Sequence, residues 1–376
     1  MDITLLAINW PSVGLKVAQL LLSLSILVIL HEFGHYITAK WFKCRVEKFY
    51  LFFDPWFSIF KKKIGDTVYG IGWLPLGGYV KISGMVDESM DKESLKLPPQ
   101  SWEFRSKPAW QRLIIMLGGV TVNILLAFVI YAGILMTWGE KKIPASSLKH
   151  GITFNDSLFN DLGFKNGDKV LAVDGKPVVE YTDILKKILV VNNNVTVERE
   201  GKVTVLNMPV DLIGKLVEKK KLADGPLISP RIPVIISEIR DTSFAYKAGL
   251  RKGDLIVGVD TVQTKFYDQF DAVMKKQKKG DTINLVVKRN DSLINLTTTL
   301  IAGGKIGFSR PSSHEEYDSL GIYKYEVKKY GFFAAFPAGV KRAGKELQFY
   351  IDQFKKILSP STGAYKGVGG FKAMGS

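Results

Sequence analysis

Two long apolar runs dominate the pattern of the chain. From Val17 to Leu30 almost every residue is apolar, and apolar positions continue at helical spacing through Phe33, Tyr36 and Ile37. A helix of roughly 20 such residues is what a bilayer core demands. No basic n-region precedes it and no small-x-small cleavage site follows, so the run predicts a membrane span rather than a signal peptide. The second run, "WQRLIIMLGGVTVNILLAFVIYAGILMTWG", covers 110–139 and predicts a second span. Gly118, Gly119 and Asn123 interrupt it, as close helix packing with one polar contact requires; a role for Asn123 near a site is the second reading.

Between the spans, "TVYGIGWLPLGGYVKISG" at 67–84 mixes β-branched and aromatic residues with glycine and proline. It predicts a hairpin or re-entrant loop at the membrane face. An open strand edge there could pair with an extended peptide. Gly70, Ile71, Gly72, Trp73, Gly77, Gly78 and Tyr79 are the candidate substrate contacts. Near the end, Val340, Ala343, Leu347, Ile351, Phe354 and Leu358 recur at helical spacing opposite Lys and Arg. They predict an amphipathic helix over 339–358, lying on a membrane surface or packed on the domains before it.

Two stretches repeat at an offset of 86 residues, "SLFNDLGFKNGDKVLAVDGKPV" from Ser157 and "SFAYKAGLRKGDLIVGVDTVQT" from Ser243. Each is followed by a helical stretch, at Tyr181–Leu189 and Phe266–Lys275, and a β-rich tail. One long period repeated twice indicates tandem domains. The pattern "AGLRKGDLIVGVD" resembles a PDZ domain of the circularly permuted bacterial kind. PDZ domains bind extended peptides by strand addition, although a copy could equally serve as a spacer or size filter.

The chemistry lies at the end of the first span. His31 and His35 are four residues apart, so on a helix their side chains lie about 40° apart around the axis, on one face. Both imidazoles can reach one Zn2+ ion. Glu32, one residue along, is placed to take a proton without ligating. This is the H-E-x-x-H arrangement of zinc hydrolases. The motif alone occurs by chance. Ionisable residues inside an apolar helix, however, are costly and functional by default. A third protein ligand is needed. His150 and His314 lie beyond the second span, and no further acidic residue interrupts an apolar run.

The formal net charge is +16. The positive charge is spread along the chain, without zinc-finger, helix-turn-helix or RNP signals, so nucleic acid is not an expected partner. Much of it flanks the spans: Lys40, Lys43, Arg45, Lys48 and Lys61–Lys63 follow the first, and Arg105, Lys107 and Arg112 lead into the second. The positive-inside rule therefore puts the N-terminus and the repeats outside and the metal motif toward the cytoplasm. Cys44 is the sole cysteine, so no internal disulfide exists.

HEFGH in the first span, "WLPLGGYVKISGM" after it, Gly-Gly and Asn123 in the second, and the tandem PDZ-like repeats come in the order of the site-2 protease family of intramembrane zinc metalloproteases, which this chain resembles. Two PDZ-like domains bring it nearer to the two-PDZ members than to single-PDZ ones. The resemblance implies a polytopic α-helical membrane protein of the bacterial inner membrane. Two spans are present and more are expected in the full chain, with a membrane-associated β-loop and two periplasmic PDZ-like α+β domains. The expected divisions are 1–42, 43–107, 108–139, 140–224, 225–311 and 312–376, the last an amphipathic membrane-surface segment. His31 and His35 become zinc ligands, and Glu32 becomes the catalytic base. The β-loop engages the substrate, a single-pass membrane protein such as a pre-cleaved anti-sigma factor, or a remnant signal peptide. Membrane lipid is the other expected partner. The family's third ligand is the aspartate of a later L-D-G motif, absent from this sequence. The expectation is a chain cut before that motif and inactive as it stands. The competing readings are a membrane-anchored PDZ scaffold with a degenerate metal motif, which has no reason to keep Glu32 with both histidines, and a soluble-type zinc protease on an anchor, against which the apolar run before HEFGH argues.

Overall fold

Residues Trp10–Trp41 form one uninterrupted helix, α1. The computed structural model describes residues 10–85, 98–218, 226–301 and 305–367, and the chain divides into two units. The first unit holds α1, a four-stranded sheet, a second long helix α2 (Ala109–Thr137) and the opening of a late helix, Phe332–Leu358. Leu15, Leu22 and Ile26 on α1 and Leu117, Val120 and Leu125 on α2 are all exposed. A helix of a soluble domain buries its apolar stripe and shows a polar face; these two are apolar all round. Both are long and apolar enough to cross a membrane.

The sheet comprises β1 (Val46–Tyr50), β2 (Phe53–Ile64), β3 (Thr67–Leu74) and β4 (Tyr79–Ile82), in the order β2-β3-β1-β4. β2 and β3 form a hairpin that pairs Ile64 with Thr67 across Gly65 and Asp66, with Gly65 at φ +61°. β1 pairs with β3 in parallel and with β4 antiparallel. Ala39, Cys44, Val46, Ile82 and Ile115 form the core that joins the sheet to α1 and α2.

This corrects the expectation for 67–84. The segment is not a hairpin, because β1 lies between its two strands. Gly70 is interior, paired with Tyr50 on one side and Lys61 on the other. Its glycine is needed for packing: a Cβ there would lie 2.2 Å from the Tyr50 ring, and one on Gly72 would lie 2.0 Å from the Phe53 carbonyl oxygen. The sheet edges are β2 and β4, and Tyr79 is on the latter.

The second unit contains the two repeats, and each repeats one order of elements. In the first, the strands Lys169–Val173, Asn194–Arg199 and Lys202–Asn207 pair in succession, with the helix Tyr181–Leu189 after the first of them. In the second, Leu255–Val259, Thr282–Arg289 and Ser292–Thr299 do the same, with the helix Tyr267–Met274. Both terminal hairpins turn through two left-handed residues, Glu200–Gly201 and Asn290–Asp291, which match the twist of the strands.

The first core extends past its expected limits. Ile228, Ile322 and Tyr323 are buried in it, although the expected boundaries fall after 224 and 311. The Tyr181 hydroxyl donates to the Ile228 carbonyl over 3.1 Å. Burial pushes that phenol up to about 12, so it remains a donor at any ordinary pH. Asp268 joins the repeats, receiving Arg231 through two bonds of 3.0 Å and the Asn166 amide at 3.1 Å.

The late helix begins at Phe332, seven residues before the expected start, and carries Pro337 inside it. Within the second unit its polar side meets the first repeat. Lys186 pairs with Glu346 at 3.1 Å and lies over the Phe349 ring, and Lys356 donates to the Val191 carbonyl over 2.7 Å. Leu347, Ile351, Phe354 and Leu358 remain exposed.

Candidate metal centre

α1 and α2 cross with their backbones in contact. A Cβ on Gly34 would lie 2.3 Å from the Gly118 carbonyl oxygen, and one on Gly118 would lie 2.6 Å from the Gly34 oxygen. Thr38 donates back to the Gly34 carbonyl over 2.8 Å, which keeps that hydroxyl inside its own helix. No larger residue fits at this crossing.

The histidines sit beside it. On α2, Ile115, Gly119 and Asn123 recur every fourth residue and so share one face. The His35 Nδ1–H donates to the Ile115 carbonyl oxygen over 2.8 Å. A carbonyl can only accept, so the proton of neutral His35 is on Nδ1 and its Nε2 carries a lone pair. Gly119 lies against the His31 ring, where a Cβ would stand 2.7 Å from Nε2. The Asn123 side chain lies 3.4 Å from His31 Nδ1, and the Asn123 Oδ1 is buried without a partner. Turning that amide over lets Oδ1 accept from His31 Nδ1–H. Both histidines then present unprotonated Nε2 atoms to each other, 3.2 Å apart.

That spacing fits a metal. Two nitrogens bound tetrahedrally at about 2.05 Å from zinc stand about 3.3 Å apart. Two lone pairs at this distance repel unless a proton or cation lies between them. The hydrogen bond on the far ring nitrogen, which would orient the imidazole on a metal, is in place for His35 and available for His31. Glu32 is half-buried on the next position of α1. Among the described residues no third His, Cys, Asp or Glu joins the pair. His314 is engaged elsewhere: its Nδ1 is 2.8 Å from the Tyr323 hydroxyl, and its ring stacks on Tyr325.

The sequence therefore places His31, Glu32 and His35 on one helix, as the structure has them. Asn123, the second reading for that residue, touches His31. Ile115 was not foreseen, because its contribution is a main-chain oxygen. Of the candidate substrate contacts, Gly70, Ile71, Gly72 and Trp73 lie in β3, Tyr79 opens β4, and Gly77 and Gly78 lie between them. The Pro75 carbonyl in this loop receives the Ser25 hydroxyl over 3.4 Å, which brings it against α1.

A helix bearing H-E-x-x-H beside a second apolar helix defines a class, the metallopeptidases built into membrane helices. The chain belongs to peptidase family M50, whose model matches residues 19–374. A Rickettsia conorii protein that carries the provisional name of a zinc metalloprotease is 33% identical over 56% of this chain and 60% of its own length. A Borreliella burgdorferi protein with the same provisional name is 28% identical over 80% of this chain and 64% of its own. The chain thus spans less than two thirds of either relative. Among solved structures, the PDZ domain of an SdrC-like protein from Listeria monocytogenes is 27% identical, covering 20% of this chain and 85% of that domain, with a TM-score of 0.19. At that score it carries no argument about fold.

Proposed function

We propose that this chain is the metal-bearing part of an intramembrane zinc metalloprotease that hydrolyses a peptide bond in or near the transmembrane segment of single-pass membrane proteins. The observation that carries the proposal is the 3.2 Å separation of the two Nε2 atoms on an apolar helix, with His35 oriented by the Ile115 carbonyl. His31 and His35 would hold the ion, with a third ligand from outside the described residues. A zinc ion held there supplies a Lewis acid for the scissile carbonyl and lowers the pKa of the attacking water. Glu32 would accept a proton from the attacking water and pass it to the leaving amine nitrogen. The apolar walls of α1 and α2 keep bulk water away and strengthen these charge interactions.

An extended substrate has the β2 or β4 edge available, and β4 is the one packed on α1. Strand addition at Tyr79–Ile82 would present an unwound peptide bond beside the histidines. The two repeats are PDZ-like domains on the outer side of a bacterial inner membrane. A cavity of about 1010 Å³ in their unit, lined by Tyr267, Lys275, Arg310 and Ser312 among others, has room for part of an extended peptide. The exposed stripe of the late helix is suited to a membrane surface. By its tandem repeats the chain resembles the regulator of sigma-E protease, for which a pre-cleaved anti-sigma factor or a remnant signal peptide is the substrate to test.

The test is zinc content and cleavage of a model transmembrane substrate, for this chain and for the gene product carried to its stop codon. Zinc should be held by the latter, lost in His31→Ala and His35→Ala, and retained without cleavage in Glu32→Gln. A gene product that holds no zinc and cuts nothing leaves the membrane-anchored peptide-binding scaffold as the reading.

A further inference from the structure

Where α1 ends, the chain makes a second concavity, unrelated to the histidines. Lys43 adopts a left-handed conformation at φ +57°. This reverses the backbone so that the Cys44 N–H returns to the Ala39 carbonyl over 2.8 Å. The Arg45 N–H then donates to the Trp102 carbonyl over 3.0 Å. The result is a cleft of about 470 Å³ lined by Lys40, Lys43, Cys44, Arg45, Asp66 and Trp102. It contains three cations and one carboxylate. Among the described residues none of the three cations makes an ion pair; Lys40 lies over the Tyr36 ring at 5.9 Å.

Aromatic residues surround this level of the unit. Trp41 and Trp110, at the last position of α1 and near the first of α2, are 76% and 57% exposed. Phe42 stacks on Trp41 and meets Trp110 edge to face. Exposed tryptophans at the ends of two apolar helices are the composition of a membrane–water interface, where indole rings lie at the headgroup level. Three cations collected at that depth against the single carboxylate of Asp66, which pairs with none of them, leave an excess of positive charge that a lipid phosphate matches.

We propose that the cleft formed by Lys40, Lys43, Arg45 and Trp102 binds the headgroup of an anionic phospholipid. The phosphate is held by the two amines and the guanidinium, whose planar fork takes two phosphate oxygens together. Trp102 covers the glycerol end of the headgroup. The acyl chains follow the exposed apolar surface of α1. This rests on α1 and α2 crossing a bilayer, not on proteolysis.

The experiment uses the full chain in vesicles of equal parts phosphatidylcholine and phosphatidylglycerol, extracted in neutral detergent, with retained lipid counted by mass spectrometry. The expected result is retention of phosphatidylglycerol over phosphatidylcholine. That preference should fall about fivefold for each cation neutralised along Lys40→Gln, Lys43→Gln and Arg45→Gln. Lys40→Arg with Lys43→Arg should keep it, which separates loss of charge from loss of fold. Inorganic phosphate in excess should leave the lipid in place; its displacement would show a free-anion site and overturn the proposal. Equal retention of the two lipids, or no response to the glutamine changes, also overturns it. Alkaline carbonate extraction of the same vesicles is read alongside. A chain released by carbonate refutes the membrane spans themselves, whereas an integrated chain without lipid preference refutes the headgroup site alone.

Discussion

The two repeats carry the same ion pair in different surroundings. Asp168 is fully buried and accepts from Arg199 Nε and Nη2 at 2.8 Å, while the same guanidinium donates to the Gly163 carbonyl over 2.7 Å. Asp254 accepts from Arg289 at 2.7 Å, and Arg289 donates to the Gly249 carbonyl over 2.7 Å. Each carboxylate also receives a main-chain N–H, from Lys165 or Arg251. Around this shared pair the cores diverge. The first draws in Ile228, Ile322 and Tyr323 from beyond its expected limits, whereas the second is closed by Leu300 and Ile306 from within its own. A buried carboxylate admits few solutions and is kept in detail, while apolar filling can come from any nearby segment.

Breaking the shared element should have the largest effect. Arg199→Ala or Arg289→Ala leaves a buried carboxylate without its charge partner, at a cost of about 3–5 kcal/mol in either repeat. Hydrogen exchange resolved by repeat should show the two losses to be similar; a marked inequality breaks the equivalence. Next, Ile322→Ala removes a buried side chain that only the first core uses, costing about 2–4 kcal/mol. Amide protection should fall in the first repeat and hold in the second. If both fall together, the repeats are one cooperative body.

A smaller effect separates the turn aspartates. Asp174 accepts main-chain N–H groups from Asn192, Asn193 and Asn194, whereas Asp260 accepts that of Asn284. Asp174→Asn should cost about 1 kcal/mol through weakened charge-assisted bonds, and Asp260→Asn less. The smallest signal is the pH dependence of that difference. Burial raises the Asp174 carboxyl, but the three N–H donors outweigh it and hold the group below the usual aspartate value. Its contribution is therefore present above the unfolded value and lost as pH falls through the folded one. The stability gap between wild type and Asp174→Asn should close on acidification below the usual aspartate range; a gap that stays constant removes the carboxylate from the account.

Legibility in the sequence followed the length of the signal. The two apolar helices and the helix Tyr181–Leu189 are where periodicity places them, and the repeats show in their Gly-Asp and Val-Asp pairs. The histidine pair is legible because one helix carries both members. β1 and β2 were missed. The Ile64-Gly65-Asp66-Thr67 turn was the available hairpin signal, masked by three lysines on an edge strand. The return of Ile322 and Tyr323 to the first core has no local signature, since neither periodicity nor turn chemistry encodes a contact so distant in sequence.

The Ile115 carbonyl has one more consequence. Mutagenesis can replace a side chain that steadies an imidazole, but every amino acid supplies the same main-chain oxygen. His35 therefore takes its tautomer from the path of the neighbouring helix, and the bond can be lost only by moving that helix. Sliding or rolling α2 against α1 by a fraction of a turn would withdraw the acceptor and free the ring, so helix position becomes a quantity that the imidazole reports.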